Sequence, residues 1–180
     1  SQTTGSIYRS FILNVSSLGT LGLTGGYFNG FIQSASTSLF GGTVWTRLST
    51  TAGRFNVGVS TRSNSAVTWL ATDLIPGTPC FIVAAYDINP AVGDDVARIW
   101  LNTAAIGGSE PAADATSVPG TDLSSVARVF LRQDNPTNTP FIEFDELRVG
   151  TTWAQVTPSG AASPTLSATA LTAFGNVCIN

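Results

Sequence analysis

The chain has no histidine and no methionine, and its eight cationic residues are all arginine, so it has no lysine either. Each absence removes chemistry. Without histidine there is no imidazole general base, no Ser–His or Cys–His pair and no histidine ligand for zinc. Without lysine there is no Schiff base and no P-loop lysine to hold a phosphate. Carboxylate, tyrosine and arginine chemistry is what remains. Charge of either sign is scarce: 11% of residues are charged, against roughly a quarter in ordinary domains. Apolar residues make up 43%, the reverse of the balance that keeps a chain disordered. A net charge of −3 and a pI near 4.6 argue against a nucleic-acid partner, which calls for a basic patch or stripe. The longest apolar run, Phe81 to Tyr86, is strand length and far short of the roughly 20 residues of a membrane span. The chain opens at Ser1 without a methionine or a signal peptide and reads as a mature or excised segment.

Cysteine is nearly absent too. Cys80 and Cys178 do not form a C-x-x-C pair, which gives metal binding and redox catalysis little support. Two readings stand for them. Cys80 opens a strongly apolar segment and reads as a buried free thiol, or it pairs with Cys178 in an oxidising compartment and ties down the C-terminal tail.

What is present is strand periodicity. Ile7–Val15 alternates, and Phe28–Ala35, Val44–Thr50, Arg54–Thr61, Val67–Leu70, Val96–Thr103, Ala127–Asp134 and Phe141–Gly150 follow. Each is bounded by Gly, Pro or Asn connectors such as Thr24-Gly25-Gly26 and Asp134-Asn135-Pro136. Cys80–Ile88 is continuously apolar, as a central strand covered on both faces would be. No window keeps an apolar pattern at helical spacing for three turns. About nine strands without a helix predict an all-β, two-sheet antiparallel sandwich over residues 1–158. From residue 159 the texture becomes linker-like, and a short strand-like tail follows to residue 180, too short to be a domain by itself. It begins a following module or is an arm that docks on this sandwich or on a neighbouring copy; in the last case residues 163–180 pair with an exposed edge strand of the neighbour and the chain is a structural subunit of an extracellular assembly or filament.

The segments Val15-Ser16-Ser17-Leu18-Gly19, Gly25-Gly26-Tyr27-Phe28, Phe55-Asn56-Val57-Gly58-Val59-Ser60, Val83-Ala84-Ala85-Tyr86-Asp87, Ile99-Trp100-Leu101-Asn102 and Phe144-Asp145-Glu146-Leu147-Arg148-Val149-Gly150, the last followed by Trp153-Ala154, resemble the LamG-like (laminin G-like, concanavalin A-like) domains of secreted bacterial proteins. The resemblance covers roughly Tyr8 to Pro158. It implies a jelly-roll sandwich, a secreted or cell-surface setting, and recognition or adhesion within a larger extracellular protein, with polysaccharide or another matrix component as ligand. It is specific for the fold and does not name an activity.

Three groups of residues are candidates for chemistry. On the closing strand, Glu143 and Asp145 match the first two carboxylates of the Glu-x-Asp-x-Glu strand of sandwich glycosidases, but the third position is Leu147. Period-2 alternation sends Glu146 to the other face, and the apolar residues change phase, which suggests a β-bulge near Asp145-Glu146. The expectation is therefore a domain without catalytic residues and not an enzyme. The loop of Asp87, Asn89, Asp94 and Asp95 gathers oxygen ligands of the type calcium prefers, although Asn-Pro and Gly-Asp are also ordinary turn chemistry. Trp45 with Arg47, Arg98 with Trp100 and Asn102, and Arg128 with Arg132 alternate against aliphatic residues. Aromatic faces stack on sugar rings and arginine forks grip carboxylates or sulfates, so these residues are expected to line one groove. The plainer alternative places Trp45, Trp100 and Phe130 in a second core layer covered by arginine stems.

Overall fold

The computed structural model describes residues 1–159; the strand-like tail, its pairing with neighbouring copies and the partner of Cys178 all lie outside the described residues. Ten strands are present among the described residues: β1 (Gly5–Ser17), β2 (Gly26–Ile32), β3 (Phe40–Leu48), β4 (Phe55–Arg62), β5 (Thr68–Trp69), β6 (Cys80–Ile88), β7 (Val96–Leu101), β8 (Ala115–Thr116), β9 (Arg128–Leu131) and β10 (Phe141–Gly150). They form two antiparallel five-stranded sheets, in the orders β10-β1-β6-β7-β8 and β5-β4-β3-β2-β9. One helical turn, α1 (Trp153–Val156), closes the described chain. The bounds of β6 and β10 coincide with those read from sequence. Most other strands differ by a residue or more at their ends, and the two-residue β8 has no sequence signal.

The sheets meet through one face each. Phe11, Leu13, Ile82, Ala84 and Ile99 of the first pack against Phe31, Val44, Phe55, Val57 and Val59 of the second, all with no exposed surface. Side chains of this size each contribute on the order of 1.5–3 kcal/mol when removed from water. The first sheet has a second apolar layer on its outer side, where Tyr8, Val83, Ala85 and Trp100 are covered by Trp153 and Val156 of α1 and by Ala105 and Ala113 of the 102–114 loop. That second layer is why β6 reads as apolar on both faces. In α1, the Gln155 side-chain oxygen accepts from the Thr151 and Thr152 amides, satisfying donors that a helix start leaves open.

The expected bulge is present. Ser10 pairs with Arg148 and Ile12 with Asp145, so Glu146 and Leu147 together face one residue of β1. Glu146 sits in the left-handed region at φ +55, its amide donating to Asp145 Oδ1 at 2.7 Å. Arg9 is an unexpected core resident. Its side chain is fully buried between the sheets, donating to Asn29 Oδ1 and the Gly42 carbonyl and lying 4.4 Å from the Phe31 ring centre. Burial without a carboxylate partner lowers its pKa to about 9.

Candidate functional site

The outer face of the second sheet carries an aromatic row. Tyr27 pairs with Trp45, Trp45 with Gly58, and Gly58 with Trp69, so these four residues stand side by side across β2, β3, β4 and β5. Directly paired residues share a face. Phe130 continues the row on β9, and Phe40 lies beside it: Tyr27 is 5.1 Å from Trp45 and 6.0 Å from both Phe40 and Phe130, ring centre to ring centre. Five strands at about 4.8 Å spacing make a strip roughly 19 Å across.

Two glycines let these rings lie against the sheet. A Cβ on Gly30 would stand 2.7 Å from Phe130 Cε1, and one on Gly58 would stand 2.7 Å from Trp69 Cε3 and 2.8 Å from the Thr68 carbonyl. A glycine inside a strand marks such a close approach. Polar partners hold the row in place: the Trp45 indole N–H donates to Thr43 Oγ1 at 2.9 Å and Ser60 Oγ at 2.8 Å. Trp45, Trp69 and Phe40 remain partly exposed. Arginines frame the strip. The Arg47 guanidinium lies 4.3 Å from the Trp69 ring centre, and that of Arg132 lies 5.0 Å from Tyr27 and 5.3 Å from Phe40. Arg132 also pairs with Asp134 at 3.2 Å. Burial, reinforced by Asp134, raises the Tyr27 pKa and keeps the phenol protonated.

The residues expected to line one groove are therefore divided. Trp45, Arg47, Arg128 and Arg132 belong to the second sheet; Arg98, Trp100 and Asn102 belong to β7 or its end, in the first. Trp100 is 1% exposed, its indole N–H donating to the Pro111 carbonyl at 3.1 Å and its ring centre 4.9 Å from that of Trp153. It is second-layer core and has no free face to stack on a sugar. Arg98 is held bidentately by Asp87 at 2.6 and 2.8 Å and also by Glu110. Burial alone would lower its pKa, but the Asp87 and Tyr8 interactions outweigh that and hold it above its ordinary value. The Asn102 side-chain oxygen accepts from the Phe81 amide, ending the β6–β7 pairing.

The acidic loop is also rearranged relative to expectation. Asp87 is occupied by Arg98 and Ser6, and the Asn89 amide group is turned onto the Asp94 carbonyl. The carboxylates brought together are those of Asp94, Asp95 and Asp122, with oxygens within 4.8 Å of one another. Asp122 has no sequence signal because it comes from a distant loop. Asp95 is fully buried, accepting from Tyr86 Oη and the Asn89 and Leu123 amides; burial, with Asp122 nearby, raises its pKa. Asp94 Oδ1 is buried without a hydrogen-bond partner.

The carboxylates of β10 lie on the first sheet, away from the aromatic strip. Glu143 and Asp145 share the outer face, opposite Ile142 and Phe144, which pack on the core. Glu143 accepts from Asn14 Nδ2 at 2.6 Å, and Glu146 is paired with Arg148 at 2.9 Å. Sequence reasoning missed Tyr27, Phe40 and Trp69. It also missed a cavity of about 580 Å³ where the two sheets part between β9 and β10, floored by Phe28, Ile142 and Phe144 and reaching the strip at Tyr27 and Arg132.

No protein-family model matches the chain, and no curated protein sequence matches it. Solved structures do. The endo-β-1,4-glucuronan lyase of the fungus Trichoderma reesei aligns over 88% of this chain and 74% of its own, at 14% identity and a TM-score of 0.55. The native heptameric SAP-like pentraxin of Limulus polyphemus aligns over 84% of this chain and 67% of its own, at 12% identity and a TM-score of 0.51. These likenesses place the chain among jelly-roll sandwiches of concanavalin A-like fold. They also correct one expectation. An enzyme shares this fold along most of the chain, so the lack of histidine, lysine and a complete glycosidase triad does not make this a domain without enzymatic activity.

Proposed function

We propose that the chain is a LamG-like carbohydrate-recognition domain of a secreted or cell-surface bacterial protein, binding polysaccharide along the outer face of its second sheet and serving adhesion there. The carrying observation is the cross-strand row Tyr27, Trp45, Gly58, Trp69, in which glycine takes the one position where a side chain would push the neighbouring ring off the sheet. Partly exposed aromatic rings resting on a sheet offer pyranose C–H groups an apolar platform, and Arg47 and Arg132 supply directed hydrogen bonds at its margin. Calcium belongs to the same proposal, with Asp94, Asp95 and Asp122 as its ligands; the support is the buried, unpartnered oxygen of Asp94 beside two further carboxylates.

Affinity electrophoresis through gels containing single polysaccharides tests the reading. The wild type is retarded by at least one polysaccharide, and Trp45→Ala migrates in that gel as it does in a blank one. Retardation unchanged by Trp45→Ala would place the binding elsewhere on the molecule.

A further inference from the structure

The arginines are not used alike on the two sheets. On the first, Arg98 is paired with Asp87 and Glu110 and Arg148 with Glu146, while Arg9 is buried between the sheets on Asn29 and the Gly42 carbonyl. On the outer face of the second, Arg47 and Arg128 have no carboxylate within 4.0 Å among the described residues, and Arg132 has only Asp134. Arg128 sits on the same face as Phe130, donating to the Ser36 carbonyl and otherwise exposed. The other acid on this side, Asp73, is occupied by Ser49, Thr51 and Asn56. These three bonds hold its pKa below the ordinary value. Of the other arginines without a carboxylate partner among the described residues, Arg9 and Arg62 are buried and Arg54 stands near Asp73; in a chain of net charge −3, Arg47 and Arg128 are left at the aromatic strip.

We infer that the ligand of this face is an anionic polysaccharide, its carboxylate or sulfate groups held by Arg47, Arg128 and Arg132 while its rings lie on Trp45 and Trp69, which Tyr27 supports from below. The inference rests on the polysaccharide reading above and adds charge to it. Neutral glycans need the rings alone. Three guanidiniums without sufficient counter-charge at the edge of a ring platform are placed for a ligand that brings the charge with it. Guanidinium–carboxylate and guanidinium–sulfate contacts are bidentate and directional, and at exposed positions they weaken as salt rises.

The test measures binding of the whole chain to four probes at two salt concentrations: polygalacturonate and dextran sulfate as carboxylate and sulfate polymers, hydroxyethylcellulose and dextran as neutral ones. One or both anionic polymers bind at least about tenfold tighter than either neutral polymer, as expected when each charged contact contributes about 1.4 kcal/mol or more, and added salt erodes the preference. Arg47→Gln and Arg132→Gln each reduce it, whereas Arg148→Gln, on the other sheet, leaves it unchanged; thermal unfolding of each variant checks that the fold is intact. Which anionic polymer binds separates carboxylate from sulfate recognition. Equal binding of neutral and anionic polymers, sensitive to Trp45→Ala and insensitive to salt, would overturn the inference and leave the polysaccharide reading in place. Retention of no probe would remove both.

Discussion

Trp100 and Trp45 are tryptophans on outward faces of the two sheets, and replacing each by alanine should give opposite results. Trp100 is 1% exposed and packed against Trp153 and Tyr8, so Trp100→Ala leaves a cavity under the 102–114 loop. Truncations of this kind cost about 3–5 kcal/mol, and at about 2–4 °C per kcal/mol for a chain of this length the melting temperature falls by roughly 6–20 °C. Domains of this size have about 5–15 kcal/mol in hand, so the variant still folds at low temperature. There its polysaccharide binding equals that of the wild type. Trp45 is partly exposed and rests on a sheet that stays intact beneath it. Trp45→Ala costs about 1–2 kcal/mol of stability, because part of the ring was never buried and its two hydroxyl partners, Thr43 and Ser60, keep their mutual 2.7 Å hydrogen bond. Its binding falls about tenfold or more. Urea titration and affinity electrophoresis on the same preparations give both readouts. Loss of binding in folded Trp100→Ala, or undiminished binding in Trp45→Ala, would refute the assignment of the two faces.

Gly30→Ala should destabilise by about 1–3 kcal/mol through overpacking, since its Cβ would meet Phe130 at 2.7 Å and Thr43 Cγ2 at 3.1 Å; the urea midpoint drops at unchanged m-value, and binding weakens as Phe130 lifts from the strip. Burial pushes the Cys80 thiol up to about 12, from an ordinary value of 9.0. The folded chain therefore keeps a proton that the unfolded chain releases, and stability falls as pH rises between these values. Under reducing conditions the fall attributable to Cys80 approaches about 1.4 kcal/mol per pH unit, and urea midpoints of Cys80→Ala lack that slope. Calcium at about ten times its dissociation constant should stabilise the wild type by about 1.4 kcal/mol, read as a rise in melting temperature of about 3–6 °C, with no rise in Asp122→Asn.

The architecture was legible because strands in a two-layer sandwich carry it locally. Cys80–Ile88 announced a strand covered on both faces, and the phase change between Phe144 and Leu147 announced the bulge that the Ser10–Arg148 and Ile12–Asp145 register confirms. Individual long-range partners were not legible. Nothing near Asp94 in sequence points to Asp122, and nothing near Asp87 shows that Arg98, rather than an ion, takes its oxygens. Tyr27 and Trp69 were hidden for a different reason. Tyr27 is followed by Phe28, so apolar residues stand on both sides of the strand and alternation does not separate platform from core. Gly30 and Gly58 carried the usable signal, because a glycine inside a strand pattern implies a neighbour pressed close.

Alternation along a strand tells which residues oppose one another; it does not tell which of two outward faces the rest of the chain will cover. Trp45 and Trp100 have the same local setting, each with an arginine two residues away on the same side. What separates them is the path of other segments: α1 and the 102–114 loop return over the first sheet, bringing Trp153, Ala105 and Ala113 onto Trp100. The same return path brings Glu110 onto Arg98 and Tyr8, so covering the aromatic layer and neutralising its arginine are one event. On the second sheet the rings of Trp45 and Trp69 stay partly exposed, and Arg47 and Arg128 stay without carboxylates. Exposed rings and uncompensated arginines therefore have a common cause, which is why a single variant series on that face tests ring stacking and charge recognition together.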